Sequence, residues 1–174
     1  MGEVVLRQRL ADAGIEAEVD SVGVSAEESG HPIDSRARAV LSRAGYDIHP
    51  HCARQVTARD LTDSSLVLAM TVGHAASLRA LAEEAGVDVG KIHLWREFEQ
   101  DSPLGIAPGG VFGTGGALAD GPARSRGYSN FYSSDGPHDV PDPWYGSASG
   151  FEDTLATIEA GADGIVEAIE NNQI

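Results

Sequence analysis

Apolar residues recur along this chain at two spacings, and the alternation between them predicts most of the elements. Over residues 3–13, Val5, Leu6, Leu10 and Ala13 fall near one face of a helix, and Gly14 follows as a stop. Residues 17–22, Ala-Glu-Val-Asp-Ser-Val, alternate polar and apolar as a short strand does. A polar loop from Gly23 to Pro32 leads to Asp34, placed to cap a helix that carries Ala37, Val40 and Leu41 and stops at Gly45. Thr57 and Asp60 have the spacing of a capping box and predict a short helix. Residues 65–70, running from Ser65 through Leu66, Val67, Leu68 and Ala69 to Met70, form an unbroken apolar run of the kind a strand covered on both faces shows. A helix over about 74–85, with Leu78 and Leu81, ends at Gly86, and residues 91–95 predict the third strand. Near the end, Phe151, Leu155, Ile158, Ala162, Ile165, Val166 and Ile169 recur at steps of three and four. They mark the clearest helix of the chain despite Gly161 and Gly164.

Strands alternating with helices indicate an α/β fold, a small parallel sheet with helices on both faces in three α/β/α layers. The length of 174 residues favours a single domain, residues 1–174. The composition changes at Asp101. From there to about Pro137 the chain is rich in Gly, Ser, Pro and Ala and has no period, so an insertion at 101–137 is expected to be disordered. Arg124 and Arg126 lie within it.

Composition narrows the function classes. Hydrophobic residues make up 41% and charged residues 22%, as in soluble globular proteins. No apolar run approaches the roughly 20 residues of a membrane span, and the first residues lack the pattern of a signal peptide. A net charge of −15 argues against nucleic acid and anionic membranes as partners. The single cysteine, Cys52, excludes an internal disulfide, and a cytoplasmic setting is expected.

Candidate chemistry concentrates in Asp139-Val140-Pro141-Asp142-Pro143-Trp144-Tyr145-Gly146. Two prolines fix the backbone on either side of Asp142 and hold its carboxyl on a stiff arm beside two aromatic rings. A rigid acid against an aromatic wall suits protonation of an aryl leaving oxygen. A plainer account is a turn entering the last helix, with Trp144 and Tyr145 covering the core.

Taken in order, the motifs resemble the low-molecular-weight protein-tyrosine phosphatases. The resemblance rests on Asp20-Ser21-Val22-Gly23 and on Asp34-Ser35-Arg36-Ala37, followed by Gly45-Tyr46-Asp47-Ile48 and His51-Cys52-Ala53-Arg54-Gln55. It extends through Leu66 to Met70 and through the Asp139–Gly146 stretch into Gly150-Phe151-Glu152. It implies a phosphoric monoester hydrolase that works through a cysteinyl-phosphate intermediate without metal or cofactor, on a phosphorylated protein or small aryl phosphate. It also implies that Asp142 is the general acid, that Trp144 and Tyr145 wall the phosphoaryl slot, and that Ser21 and His51 support the phosphate loop from behind. On residue type alone, His51 reads as a satisfied core histidine. Glu27 stands where many members place a Trp, which leaves phosphotyrosine preference open. Thr71, with His74 behind it, is similar to the branch that includes protein-arginine phosphatases.

The family's Cys-x5-Arg phosphate loop has no counterpart in the sequence. Cys52 does not supply one: an Arg six residues on is required, but position 58 is Ala, and Arg59 is one too far. Met1-Gly2-Glu3 resembles the segment that follows this loop, so an N-terminally truncated phosphatase is expected, lacking its central first strand and inactive as given. A gap should then separate residues 17–22 from 65–70. Two other readings stand beside it: a binding module without catalysis, taking acidic or aromatic ligands through Trp144 and Tyr145, and a remnant without function.

Overall fold

The computed structural model describes residues 1–120, 136–144 and 148–174. Helix α1 (Gly2–Asp12) turns Val5, Leu6 and Leu10 inward. Helix α2 (Ser35–Arg43) opens on Asp34, whose carboxylate accepts the amides of Arg36 and Ala37. The short α3 (Ala58–Asp63) starts with the expected capping box of Thr57 and Asp60. Strand β1 (Val67–Ala69) leads into α4 (Val72–Ala85), capped by Thr71 and ended by Gly86 in the left-handed region at φ +68°. Strand β2 (Ile92–Leu94) runs straight into a 3₁₀ turn, Trp95–Phe98, and α5 (Ala148–Glu170) closes the chain.

β1 and β2 pair in parallel, with Val67 opposite Ile92 and Ala69 opposite Leu94. Successive side chains of a strand point to opposite faces, and here each face has its own core. Leu66, Leu68 and Met70 pack toward α1, α2 and α5, together with Trp95 and Phe98. Val67 and Ala69 pack toward α3 and α4, with Leu61, Leu78, Ile92 and Leu94. The expected α/β/α layering is present.

α5 approaches the 3₁₀ turn closely because two of its residues lack side chains. A Cβ at Gly161 would overlap the Trp95 indole, and one at Gly164 would overlap the Phe98 carbonyl. The Trp95 indole N–H donates to the Ile158 carbonyl at 3.2 Å. Beneath it, Glu97 is buried and fully used, taking His93 Nδ1 at 2.8 Å and the Leu94 amide at 2.9 Å.

Two expectations need correction. Residues 17–22 form no strand; their alternation lacks an adjacent edge to pair with, and the nearest pairing is an isolated parallel bridge of Gly23 with Gln55. The apolar run at 65–70 is covered on both faces as expected, though less completely than β2: Leu66, Val67, Leu68 and Met70 are half-buried, whereas all of β2 is buried. Within the stretch read as disordered, residues 107–118 pack onto the fold through buried Ala107, Val111 and Leu118. The Val111 amide donates to the Ile92 carbonyl at 2.8 Å, and the Val111 side chain is fully buried. Glycine makes this possible rather than preventing it. Gly110, at φ +71°, lies so close to the carbonyls of Gly90 and Ile92 that no side chain would fit. Residues 121–135, with Arg124 and Arg126, lie outside the described residues.

Candidate active site

Residues 136–144 are fixed at the C-terminal end of β1 from several sides. The Val140 amide donates to the Met70 carbonyl at 2.8 Å, extending the line of the strand. Asp139 is buried, and its carboxylate takes the Val72 amide at the start of α4 at 2.7 Å and the Gly136 amide at 3.3 Å. Arg96 donates to the carbonyls of Pro137 and Asp139, and Thr154 of α5 donates to that of Pro141 at 3.1 Å. Of the two acids in the stretch, Asp139 is therefore the structural one, and Asp142 is exposed. One Asp142 oxygen accepts the Trp144 amide at 2.9 Å, which closes a local turn between the two side chains.

Arg36 belongs to this site and carried no role in the sequence reading. Its guanidinium lies 5.5 Å from the centre of the Trp144 ring and 4.6 Å from that of Phe151. It donates to the Trp144 carbonyl at 3.2 Å and pairs with Asp34 at 3.1 Å. The pairing holds the Asp34 carboxyl below its ordinary range, and Asp34 and Asp142 both favour the charged guanidinium. Trp144 stays 46% exposed, one face against Arg36. Tyr145 lies outside the described residues.

The second group of predicted residues also comes together. Ser21 Oγ and His51 Nε2 lie 3.5 Å apart, and between them stands an acid the sequence reading did not single out. Glu3, in the first turn of α1, accepts the Ser21 hydroxyl, faces His51 Nδ1 at 3.3 Å and pairs with Arg7. The available signal was Glu3 and Arg7 one helical turn apart, with the acid at the helix N-terminus. Arg54 ties this region down, bridging Asp20 and Asp60; the contact raises its own pKa and holds Asp60 far below the carboxylate range.

Among the described residues, Glu3, Asp20 and His51 each offer one possible metal-ligand atom, all within 4.8 Å of one another. Both carboxylates are already engaged, by Arg7 and Arg54, and Glu3 sits at the positive end of a helix, an arrangement suited to an ion-paired polar cluster. Cys52 is exposed, and its backbone makes an antiparallel bridge with Pro32. The Thr71 hydroxyl accepts the His74 amide at 3.1 Å and so caps α4.

A groove of about 410 Å³ lies where the gap was expected. Residues 19–25 form one wall and 66–70 the other; Leu6, Leu78 and Trp95 line it as well, and Met1, Gly2 and Glu3 border it. Ser21 and His74 also line it. Burial lowers the His74 pKa, while Asp139 and Asp142 pull it upward, so the field of the exposed acid reaches the groove lining.

Residues 1–107 match the family described as low molecular weight phosphotyrosine protein phosphatase. A low molecular weight protein-tyrosine-phosphatase of Streptomyces coelicolor is 32% identical over 171 residues, which cover 97% of this chain and 84% of the relative. YfkJ of Bacillus subtilis, a low molecular weight protein-tyrosine-phosphatase, is 24% identical over 177 residues, covering 99% of this chain and 88% of the relative. In structure, a protein tyrosine phosphatase from Entamoeba histolytica with Hepes in its active site superposes with a TM-score of 0.72. It is 19% identical, and the match covers 99% of this chain and 89% of the other. The crystal structure of YfkJ gives 0.71 over 99% of this chain and 87% of that one. With the acid segment, the α/β layers and these matches in agreement, the chain belongs to the low molecular weight phosphotyrosine protein phosphatase family.

Proposed function

We propose that this fold serves hydrolysis of aryl phosphoric monoesters, and that residues 1–174 by themselves do not turn over. The reading rests chiefly on the acid segment: hydrogen bonds from β1, α4 and α5 and the guanidinium of Arg96 anchor it, yet leave Asp142 exposed beside Trp144. In the reaction, a thiolate attacks phosphorus and the P–O bond to the aryl group breaks. Protonated Asp142 gives its proton to the departing oxygen; as a carboxylate it then takes one from the water that releases phosphate from sulfur. Trp144 and Tyr145 wall the ring, and Ser21 and His51 hold the phosphate loop. The nucleophile and the phosphate-binding Arg must come from a Cys-x5-Arg loop, which the sequence does not contain. The substrate class is a phosphorylated protein or a small aryl phosphate.

The test compares residues 1–174 with the same chain fused behind a strand and Cys-x5-Arg-Ser-Pro loop, on aryl phosphates of graded leaving-group pKa. Turnover is expected only from the fused chain. In it, Asp142→Asn should slow poor leaving groups by about 10²–10³-fold, and good ones less. An equal loss across all leaving groups would leave Asp142 a loop-shaping role alone, and turnover by residues 1–174 would overturn the reading. The missing Cys-x5-Arg pattern also favours a second reading, a phosphate- or aromatic-ligand-binding module without catalysis. Phosphotyrosine binding by residues 1–174 that Trp144→Ala abolishes would support it.

A further inference from the structure

Arg36 stands in a place that α2 itself does not call for. It is the second residue of the helix, behind the capping Asp34, where the aligned peptide dipoles leave partial positive charge. A cation there gains nothing from its own helix, and the guanidinium is directed outward. Its Nε and Nη2 donate to the two oxygens of Asp34 at 3.2 and 3.1 Å, which fixes the plane of the fork. Its Nη1 crosses to a residue 108 positions away and donates to the Trp144 carbonyl at 3.2 Å. The same group lies against the rings of Trp144 and of Phe151, in the first turn of α5. Asp139, Arg96 and Thr154 hold the acid segment as far as Pro141, and Arg36 holds it at Trp144. Trp144 carries that restraint back to Asp142, because its amide donates to the Asp142 carboxylate at 2.9 Å.

We infer that Arg36 is a positioning residue for the proton donor. It fixes the backbone and ring of Trp144 and, through the Trp144 amide, the direction of the Asp142 carboxyl. It acts through Trp144 and not on the reacting atoms. An acid delivers its proton only from within hydrogen-bond reach of the departing oxygen. A displacement of about 1 Å can cost up to about 10²-fold in rate. Loss of Arg36 therefore appears in kcat, in proportion to the leaving group's need for a proton. Lysine is no equivalent: it keeps the charge but has a single nitrogen and no plane to lie against two rings. The kinetic consequence rests on the proposed phosphatase reaction, whereas the restraint on Trp144 does not.

Two measurements test the two parts, each with Arg36→Met and Arg36→Lys. In residues 1–174, amide exchange at Trp144 is followed by NMR. Arg36→Met is expected to speed it at least about fivefold, while the amides of Leu41 in α2 and Ile158 in α5 keep their rates and show the variant to be folded. An unchanged rate at Trp144 would overturn the inference. In the chain fused behind the Cys-x5-Arg-Ser-Pro loop, Arg36→Met should lower kcat about tenfold for poor leaving groups and little for good ones. Arg36→Lys should stay nearly as slow, and in an Asp142→Asn background Arg36→Met should add no further loss. A uniform loss across leaving groups, full recovery in Arg36→Lys, or an equal loss with and without Asp142 would overturn the inference. If the fused chain turns over no aryl phosphate, the phosphatase reading falls, and the exchange rate at Trp144 alone decides whether Arg36 positions the acid.

Discussion

The guanidinium of Arg36 lies over Trp144 and Phe151 and takes the Trp144 carbonyl, so its loss would leave the Trp144 ring without a partner on that face. Cation–π contacts at exposed sites contribute about 0.5–1 kcal/mol each. Arg36→Ala is therefore expected to lower stability slightly and to raise acrylamide quenching of the exposed indole. Trp95, buried against α5, should be unaffected. Unchanged quenching would mean that Trp144 is positioned by the Pro-Asp-Pro backbone alone. His74 gives a prediction in pH. Burial lowers its pKa below the ordinary 6.5, so the unfolded chain binds a proton more readily than the folded one. Stability from this group is present above pH 6.5 and is lost as pH falls through the lower folded value. Melting temperatures taken from pH 7.5 down to 5 should decline, and His74→Gln should make the decline shallower. An identical slope in the variant would place the pH dependence on other groups.

At the scale of elements, capping and periodicity made the helices legible. Asp34, Thr57 with Asp60, and Gly86 all sit where the sequence put the helix ends. The strands were less legible, because a strand depends on its neighbours: among the described residues, 17–22 have the right alternation and no partner strand, while β1 has a partner on one edge only. The segment 107–118 was misread for a different reason. A high glycine content resembles that of a flexible loop, but Gly110 lets the backbone press against β2, and no local pattern announces that approach. In the candidate site, Asp142, Trp144, Ser21 and His51 were legible through motif order. Arg36 and Glu3 act through contacts with residues distant in sequence, which spacing does not reveal. Gly161 and Gly164 offer a test at this scale. Helix propensity alone would have Gly164→Ala gain about 1 kcal/mol. The clash with the Phe98 carbonyl opposes it, and overpacking of this kind costs about 1–3 kcal/mol. A net loss in urea melts is expected, larger than that for Gly150→Ala, where a Cβ meets only ordinary contacts with Pro143. A net gain at 164 would mean that α5 and the 3₁₀ turn separate easily.

For the whole molecule, the groove sets the balance of stability. Several aliphatic side chains along residues 66–70 stay half in water, and each fully buried one would contribute about 1.5–3 kcal/mol. Domains of ordinary stability have only about 5–15 kcal/mol in total. Residues 1–174 are therefore expected to melt early in urea and to self-associate as concentration rises; a cooperative melt of ordinary stability from a dilute monomer would contradict this. The form of that association follows from the packing of residues 107–118 along β2. Val111 occupies the Ile92 carbonyl, and the glycine backbone lies flat against that side of the sheet. Among the described residues, each molecule thus has a valence of one for sheet extension. Two copies joined edge to edge satisfy each other and leave nothing for a third, so assembly by this route terminates at a pair and does not grow into a fibre. Sedimentation should resolve monomer and dimer in mass-action equilibrium, and a ladder of higher species would mean that the covered edge opens.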